Sequence, residues 1–202
     1  MFLFRLIKFL FGPLLMLLFR VKTVGRENIP KTGRALMVAN HSAIFDPVIV
    51  AAASSRTFRP MAKKEAFNSK IGSWFLTSVG CFPVNRYSVD TGALLTAEKL
   101  LNQEEMVILF SEGTRSKTKK MLPFKTGAAA LCYKTESPVI PVGIITEGNG
   151  LRLFKRTVIR FGEPITKEKL FPDDEKDYRQ ATNVLQQTVG DLIDMGDPRC
   201  TK

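Results

Sequence analysis

Residues 105–110, EMVILF, hold an apolar run too short to build a buried helix and too apolar to lie in water on both sides. Such a run marks a strand buried on both faces, the kind that parallel sheets use at their centre. Related segments recur at ALMVAN (35–40), VIPVGII (139–145) and RTVIRFG (156–162), with the shorter TFRPMAK (57–63) and CFPVN (81–85) between them. The intervening stretches at 46–53, 66–79, 91–102 and 126–135 read as helices, and a last amphipathic helix carries Tyr178, Ala181, Val184, Leu185, Val189 and Leu192 on one face. Strands alternating with helices predict an α/β fold whose sheet is mostly parallel and flanked by helices. The length of 202 residues suits one such domain, and neither an internal repeat nor a linker-like tract divides it. Ligand sites in these folds gather beyond the carboxyl ends of the strands.

The first twenty residues are different in kind. MFLFRLIKFLFGPLLMLLFR holds three polar side chains, Arg5, Lys8 and Arg20, and its apolar run from Phe9 to Phe19 is eleven residues long. A helix crossing a bilayer needs roughly 20. Gly12-Pro13 interrupts the run, and a proline there bends or breaks a helix. The segment is therefore expected to form two short apolar helices lying in or dipping into one leaflet. Arg5, Lys8, Arg20, Lys22 and Arg26 all precede the first acid, Glu27, which suits an anionic cytoplasmic leaflet. Arg-Val-Lys follows Phe19 where a signal peptide would offer a small-residue cleavage site. The expected division is a membrane-associating helical segment at 1–24 and a catalytic domain at 25–202, at the cell membrane, monotopic or peripheral on its cytoplasmic face. A helix packed on the protein's own core is the competing reading.

Thirty Lys and Arg against nineteen Asp and Glu give a net charge of +11, which fits a phosphate-bearing partner. No nucleic-acid motif and no interleaving of aromatic with basic residues accompanies that charge, so nucleic acid is not expected. Cys81, Cys132 and Cys200 are an odd set without a C-x-x-C pair, as in a reducing compartment. His41 is the single histidine, with no ligand spacing around it, and no metal is expected.

NHSAIFD (40–46) sets His41 just after a strand and Asp46 before Pro47, at the expected cap of the next helix. Across a strand-to-helix turn the two can converge, and a carboxylate on one imidazole nitrogen leaves the other to accept a proton. A structural histidine beside a helix-capping aspartate fits the same spacing. No G-x-S-x-G elbow supplies a protein nucleophile, so His41 as base would act on a substrate hydroxyl. LFSEGTRS (109–116) follows the strongest strand with Glu112, Gly113, Thr114 and Arg115 in one loop. Gly113 permits close approach, Thr114 and Arg115 offer donors to phosphate, and Glu112 could pair with an arginine or bind a hydroxyl. GCFPVNR (80–86) ends in Arg86, a second candidate phosphate ligand, and SPVIPVGI (137–144) carries Pro141 inside a strand, implying an edge, a bulge or a wall. The lysines at 117–120 read as a solvated or membrane-facing group, and Phe67, Ile71, Trp74 and Phe75 as core packing, with an acyl tunnel as the alternative.

Taken in order, the four blocks resemble the motifs of the glycerophospholipid acyltransferase family, and within it the bacterial branch that acylates lysophosphatidate. H-x-x-x-x-D matches His41 to Asp46, the arginine-ending block Phe82 to Arg86, E-G-T-R-S Glu112 to Ser116, and the proline-bearing block Val139 to Val142. The likeness spans roughly residues 25–165. Ser111 stands where many members have proline, and Pro83 where an aliphatic residue is common. The resemblance implies transfer of a fatty acyl group from a thioester to the sn-2 hydroxyl of lysophosphatidate, giving phosphatidate. His41 would be the base, Asp46 its holder, and Arg86 and Arg115 the phosphate ligands, with Glu112 to Thr114 shaping that pocket. Lys63 or Lys64 would serve the oxyanion or the substrate. No cofactor is implied beyond a coenzyme A or acyl carrier protein thioester as co-substrate. Glycerol 3-phosphate or a lysophospholipid as acceptor, and thioester hydrolysis, remain open alternatives.

Overall fold

A computed structural model describes residues 1–85, 90–116, 120–148 and 150–199. Seven strands form one sheet, with the apolar runs at its centre: β1 (Val21–Val24), β2 (Ala35–Ala39), β3 (Arg59–Lys63), β4 (Phe82–Val84), β5 (Met106–Phe110), β6 (Val139–Thr146) and β7 (Thr157–Phe161). Their order across the sheet is β1-β7-β6-β2-β5-β3-β4. Only the β6–β7 pairing among these is antiparallel. The helices are α1 (Phe2–Leu18), α2 (Asp46–Ala53), α3 (Lys70–Ser78), α4 (Thr91–Asn102), α5 (Gly127–Thr135), α6 (Lys167–Leu170) and α7 (Tyr178–Asp194).

The strand runs are apolar throughout because both faces are covered. Leu36, Val38, Val107 and Leu109 point into one core layer with α4, α5 and α7. Ala35, Met37, Met106 and Ile108 point into the other, against α1 and α2. All five residues of β2 are fully buried. At about 25 cal/mol per Å² of apolar surface withdrawn from water, this double layer is the main stabilising term of the fold.

Four local expectations change. The start is one continuous helix, not two: α1 runs through Pro13. Proline costs a helix one backbone bond and bends it, but α1 is held along its length by packing on α2, where Gly12 is buried beside Ala52. Seventeen residues reach about 25 Å at 1.5 Å each, against a hydrocarbon core of about 30 Å. No helix among the described residues is long and apolar enough to cross a membrane. Residues 21–24, grouped on sequence with this segment, form the edge strand β1 beside β7.

Asp46 is the first helical residue of α2 and Phe45 the cap, because the Asp46 carboxylate turns back into the preceding loop. The apolar residues of α3 are not core: Ile71 is 82% exposed, Trp74 65% and Phe75 44%. The helix lies at the β3–β4 end of the molecule with no element among the described residues covering its outer side, so helical periodicity gave it an apolar face without a cover. Pro141, by contrast, lies inside the sheet. Val142 pairs with Phe161 and Val139 with Ile165, so three steps along β6 match four along the facing chain. The extra residue makes a bulge, with Gly162 N donating to Pro141 O, that accommodates a strand position lacking an N–H.

Candidate active site

Strand register assembles the site. β2 and β5 run parallel with Ala39 opposite Phe110, so two residues further on His41 emerges opposite Glu112. The two rings nearest the join, His41 and Phe110, sit 4.4 Å apart. β3 flanks β5 with Pro60 opposite Ile108, which brings Lys63 to the same end of the sheet.

His41 Nδ1 lies 2.8 Å from Asp46 Oδ2, with the histidine 5% exposed and the aspartate fully buried. The same Oδ2 accepts from Ser42 N and Ala43 N, each at 2.7 Å. Three donors on one oxygen hold both the tight turn and the imidazole plane, and they leave Nε2 as the nitrogen free to take a proton. Asp46 Oδ1 is buried with no hydrogen-bond partner among the described residues. The backbone of His41 is gripped as well: its N–H donates to Glu112 Oε1 at 2.7 Å, and its carbonyl accepts from Ser116 N at 2.9 Å.

Glu112 is 5% exposed and spends its second oxygen on Leu122 N at 2.9 Å. Burial pushes its carboxyl above the usual range, with the two backbone donors opposing that rise. In this geometry the carboxylate braces the loop against β2; Thr114 and Arg115 are the exposed residues of that loop. Gly113 has φ +70°, a left-handed backbone, and a Cβ there would stand 2.7 Å from Lys125 Cε. The Lys125 side chain thus lies against the loop at Gly113 and adds a cation there.

Arg86 lies outside the described residues. Lys63 lines the cavity described next and has its Nζ 3.8 Å from Glu65 Oε2. Lys64 is exposed on the following turn, where its charge helps keep the Asp90 carboxyl low, after backbone donors from Asn85 and Ala93. Sequence reasoning passed over Asn40. Its side-chain amide donates to Ile144 O at 3.0 Å and accepts from Ile144 N at 2.8 Å, extending the β2–β6 ladder by one step just before His41. A buried asparagine at a strand exit was the available signal.

A cavity of about 510 Å³ opens beside His41. Its walls come from α1 (Phe4, Ile7, Gly12, Leu15), α2 (Val48, Ala51, Ala52), β3 (Met61, Ala62) and α3 (Phe75, Leu76), with Arg115 joining His41 and Lys63 among the few polar contributors. The arrangement offers an imidazole with one nitrogen free, cations at the same end, and an apolar compartment beside them.

Comparison with known proteins agrees with this geometry. The family model described as Acyltransferase matches residues 20–145. A 1-acyl-sn-glycerol-3-phosphate acyltransferase of Bacillus subtilis is 30% identical over 177 residues, 85% of this chain and 87% of that protein. One from Saccharomyces cerevisiae is 31% identical over 198 residues, covering 90% of this chain and 63% of its own. The crystal structure of the 1-acyl-sn-glycerophosphate acyltransferase of Thermotoga maritima superposes with a TM-score of 0.78 at 25% identity, over 98% of this chain and 81% of that one.

Proposed function

Because the chain belongs to the acyltransferase family, we propose that it esterifies lysophosphatidate with a fatty acyl group drawn from a thioester, giving phosphatidate. The observation that carries this reading is the His41–Asp46 pair set at the mouth of an apolar cavity with Arg115 on the same rim. The acceptor's phosphate binds Arg115 and Thr114, with Arg86 as a further ligand on sequence grounds. Its free hydroxyl then meets His41 Nε2, which takes the proton as the oxygen attacks the thioester carbonyl. Asp46 keeps the imidazole in the required tautomer and stabilises the imidazolium, which returns its proton to the departing thiolate. Lys63 serves the carbonyl oxygen as it gains charge. The donor's acyl chain occupies the apolar cavity, and the donor is a thioester of coenzyme A or of an acyl carrier protein, with no cofactor.

The same reading puts the enzyme on a membrane. Phe2, Phe9, Phe11, Leu14 and Leu17 of α1, Ile44 and Phe45 before α2, and Ile71 and Trp74 of α3 are all exposed large apolar side chains. Exposed apolar surface on two helices that flank the cavity supports a monotopic seat in one leaflet, from which a lipid acceptor enters.

The test is purified protein in detergent, given labelled acyl thioester with and without lysophosphatidate. Labelled phosphatidate that His41→Ala abolishes is the expected result. Thioester cleavage at the same rate without acceptor would replace transfer by hydrolysis, and preference for glycerol 3-phosphate or a lysophospholipid would move the acceptor.

A further inference from the structure

Behind α1, on the side away from His41, a second groove of about 890 Å³ is lined by Arg5, Lys8, Arg26, Lys31 and Arg56. None of these five cations forms an ion pair among the described residues. The two acids in the groove form their ion pairs with other arginines, Glu104 with Arg34 at 2.5 Å and Glu105 with Arg59 at 2.7 Å, although the Glu105 charge also acts on Arg56. Lys8 Nζ and Arg26 Nη2 converge on one carbonyl, that of Ser54, at 2.5 and 3.2 Å. Arg56 donates to the carbonyls of Pro30 and Gly33 at 2.8 and 2.9 Å. Two like charges on a single neutral acceptor are an unfavourable pair unless an anion joins them. Burial and the neighbouring Arg26 accordingly hold the Lys8 ammonium down to about 8.

The groove also has an apolar side, supplied by Phe9, Pro13 and Met16 of α1. Phe9 is 78% exposed and continues the apolar surface of that helix. A free phosphate has no use for that side. A phospholipid, with an anionic head joined to hydrocarbon, matches both.

We propose that this groove binds the phosphate headgroup of an anionic membrane phospholipid, at a site distinct from the catalytic pocket. The proposal rests on the interfacial reading of α1 given above. Lys8, Gly12 and Ala52 line both the groove and the apolar cavity, so they form the partition between them. A lipid held here clamps α1 against α2 and keeps the cavity wall in place.

Co-sedimentation of the purified full chain tests this, using vesicles of phosphatidylcholine alone and vesicles also containing phosphatidylglycerol. The unsubstituted chain is expected to prefer the anionic vesicles. Lys8→Gln/Arg26→Gln is expected to lose about 25-fold of its affinity for them, about fivefold per cation, and to keep its affinity for neutral ones. Arg5→Gln/Lys31→Gln removes two charges without removing a side-chain hydrogen bond to the fold, so it carries the test should the first variant not fold. Lys169→Gln/Arg179→Gln, charge-matched on the opposite layer, is expected to bind as the unsubstituted chain does. Equal losses in all three variants, or no loss in the groove variants, overturn the site. Calorimetric binding of inorganic phosphate that both groove variants lose, with their preference for anionic vesicles intact, assigns the groove to free phosphate and overturns the lipid. Sedimentation with neither vesicle type defeats the interfacial reading of α1, whereas equal binding to both removes the headgroup site alone.

Discussion

The two sides of the cavity are made in opposite ways. On the sheet side, His41, Asp46 and Glu112 are buried polar groups whose positions are held by named hydrogen bonds of 2.7–2.9 Å to one another and to backbone. On the helix side, α3 contributes no buried residue at all, and α1 buries only Phe4 and Gly12. Reacting groups need sub-ångström placement, which a satisfied, low-dielectric network provides. A wall that admits a hydrocarbon chain needs apolar contact without a fixed shape. On the proposed function, the contrast separates where the chemistry is done from where the substrate is received, and variants on each side should fail differently.

The largest effect is expected at the base. His41→Ala should lower kcat by about 10³-fold or more with the unfolding midpoint nearly unchanged, measured by turnover and calorimetry. Retained turnover would take the chemistry away from the sheet side. Glu112→Gln can turn its amide NH₂ toward a backbone N–H, which removes one hydrogen bond and sets two donors against each other. An expected cost of about 1–3 kcal/mol should show as a midpoint lower by about 5 °C, together with a lower kcat, because His41 loses its brace. A change in KM alone would return Glu112 to direct substrate binding. Arg115→Ala should raise the acceptor's KM about tenfold and leave the donor's alone. The opposite split would place the arginine at the donor.

Across the cavity, Ile71→Ser/Trp74→Ser should weaken vesicle binding about fivefold while detergent turnover stays the same. A folding defect would mean that α3 is covered after all. The smallest effect concerns Lys8, whose ionisation is lowered from 10.5 to about 8 in the folded chain. Between those values the unfolded chain binds more protons, so the Lys8 contribution to stability rises with pH across that window. The unfolding midpoint relative to Lys8→Met should therefore climb from pH 8 to 10.5, and a flat difference would mean that Lys8 is solvated.

The same contrast explains what could be read without coordinates. β2, β5 and β6 were legible because burial on both faces writes a continuous apolar run. β1, VKTV, was not, since an edge strand of half-buried residues has no such signature. The His41–Asp46 spacing was legible because the pair lies within one turn. The Glu112 link to His41 depends on which strand lies beside β2, and the β2–β5 register is a property of the assembled sheet. For α3, periodicity reported an apolar face correctly but could not report that no other element among the described residues would cover it.

The hydrogen bond from Ser116 N to the carbonyl of His41 also bears on selectivity. Arg115 immediately precedes the residue that is tied to His41, so on the proposed function one backbone linkage plus two side chains join the phosphate ligand to the proton acceptor. Regiochemistry would then have a mechanical origin. On the proposed function, which carbon of the glycerol presents its oxygen to Nε2 then depends on how far that oxygen lies from the phosphate, measured against the reach of that linkage.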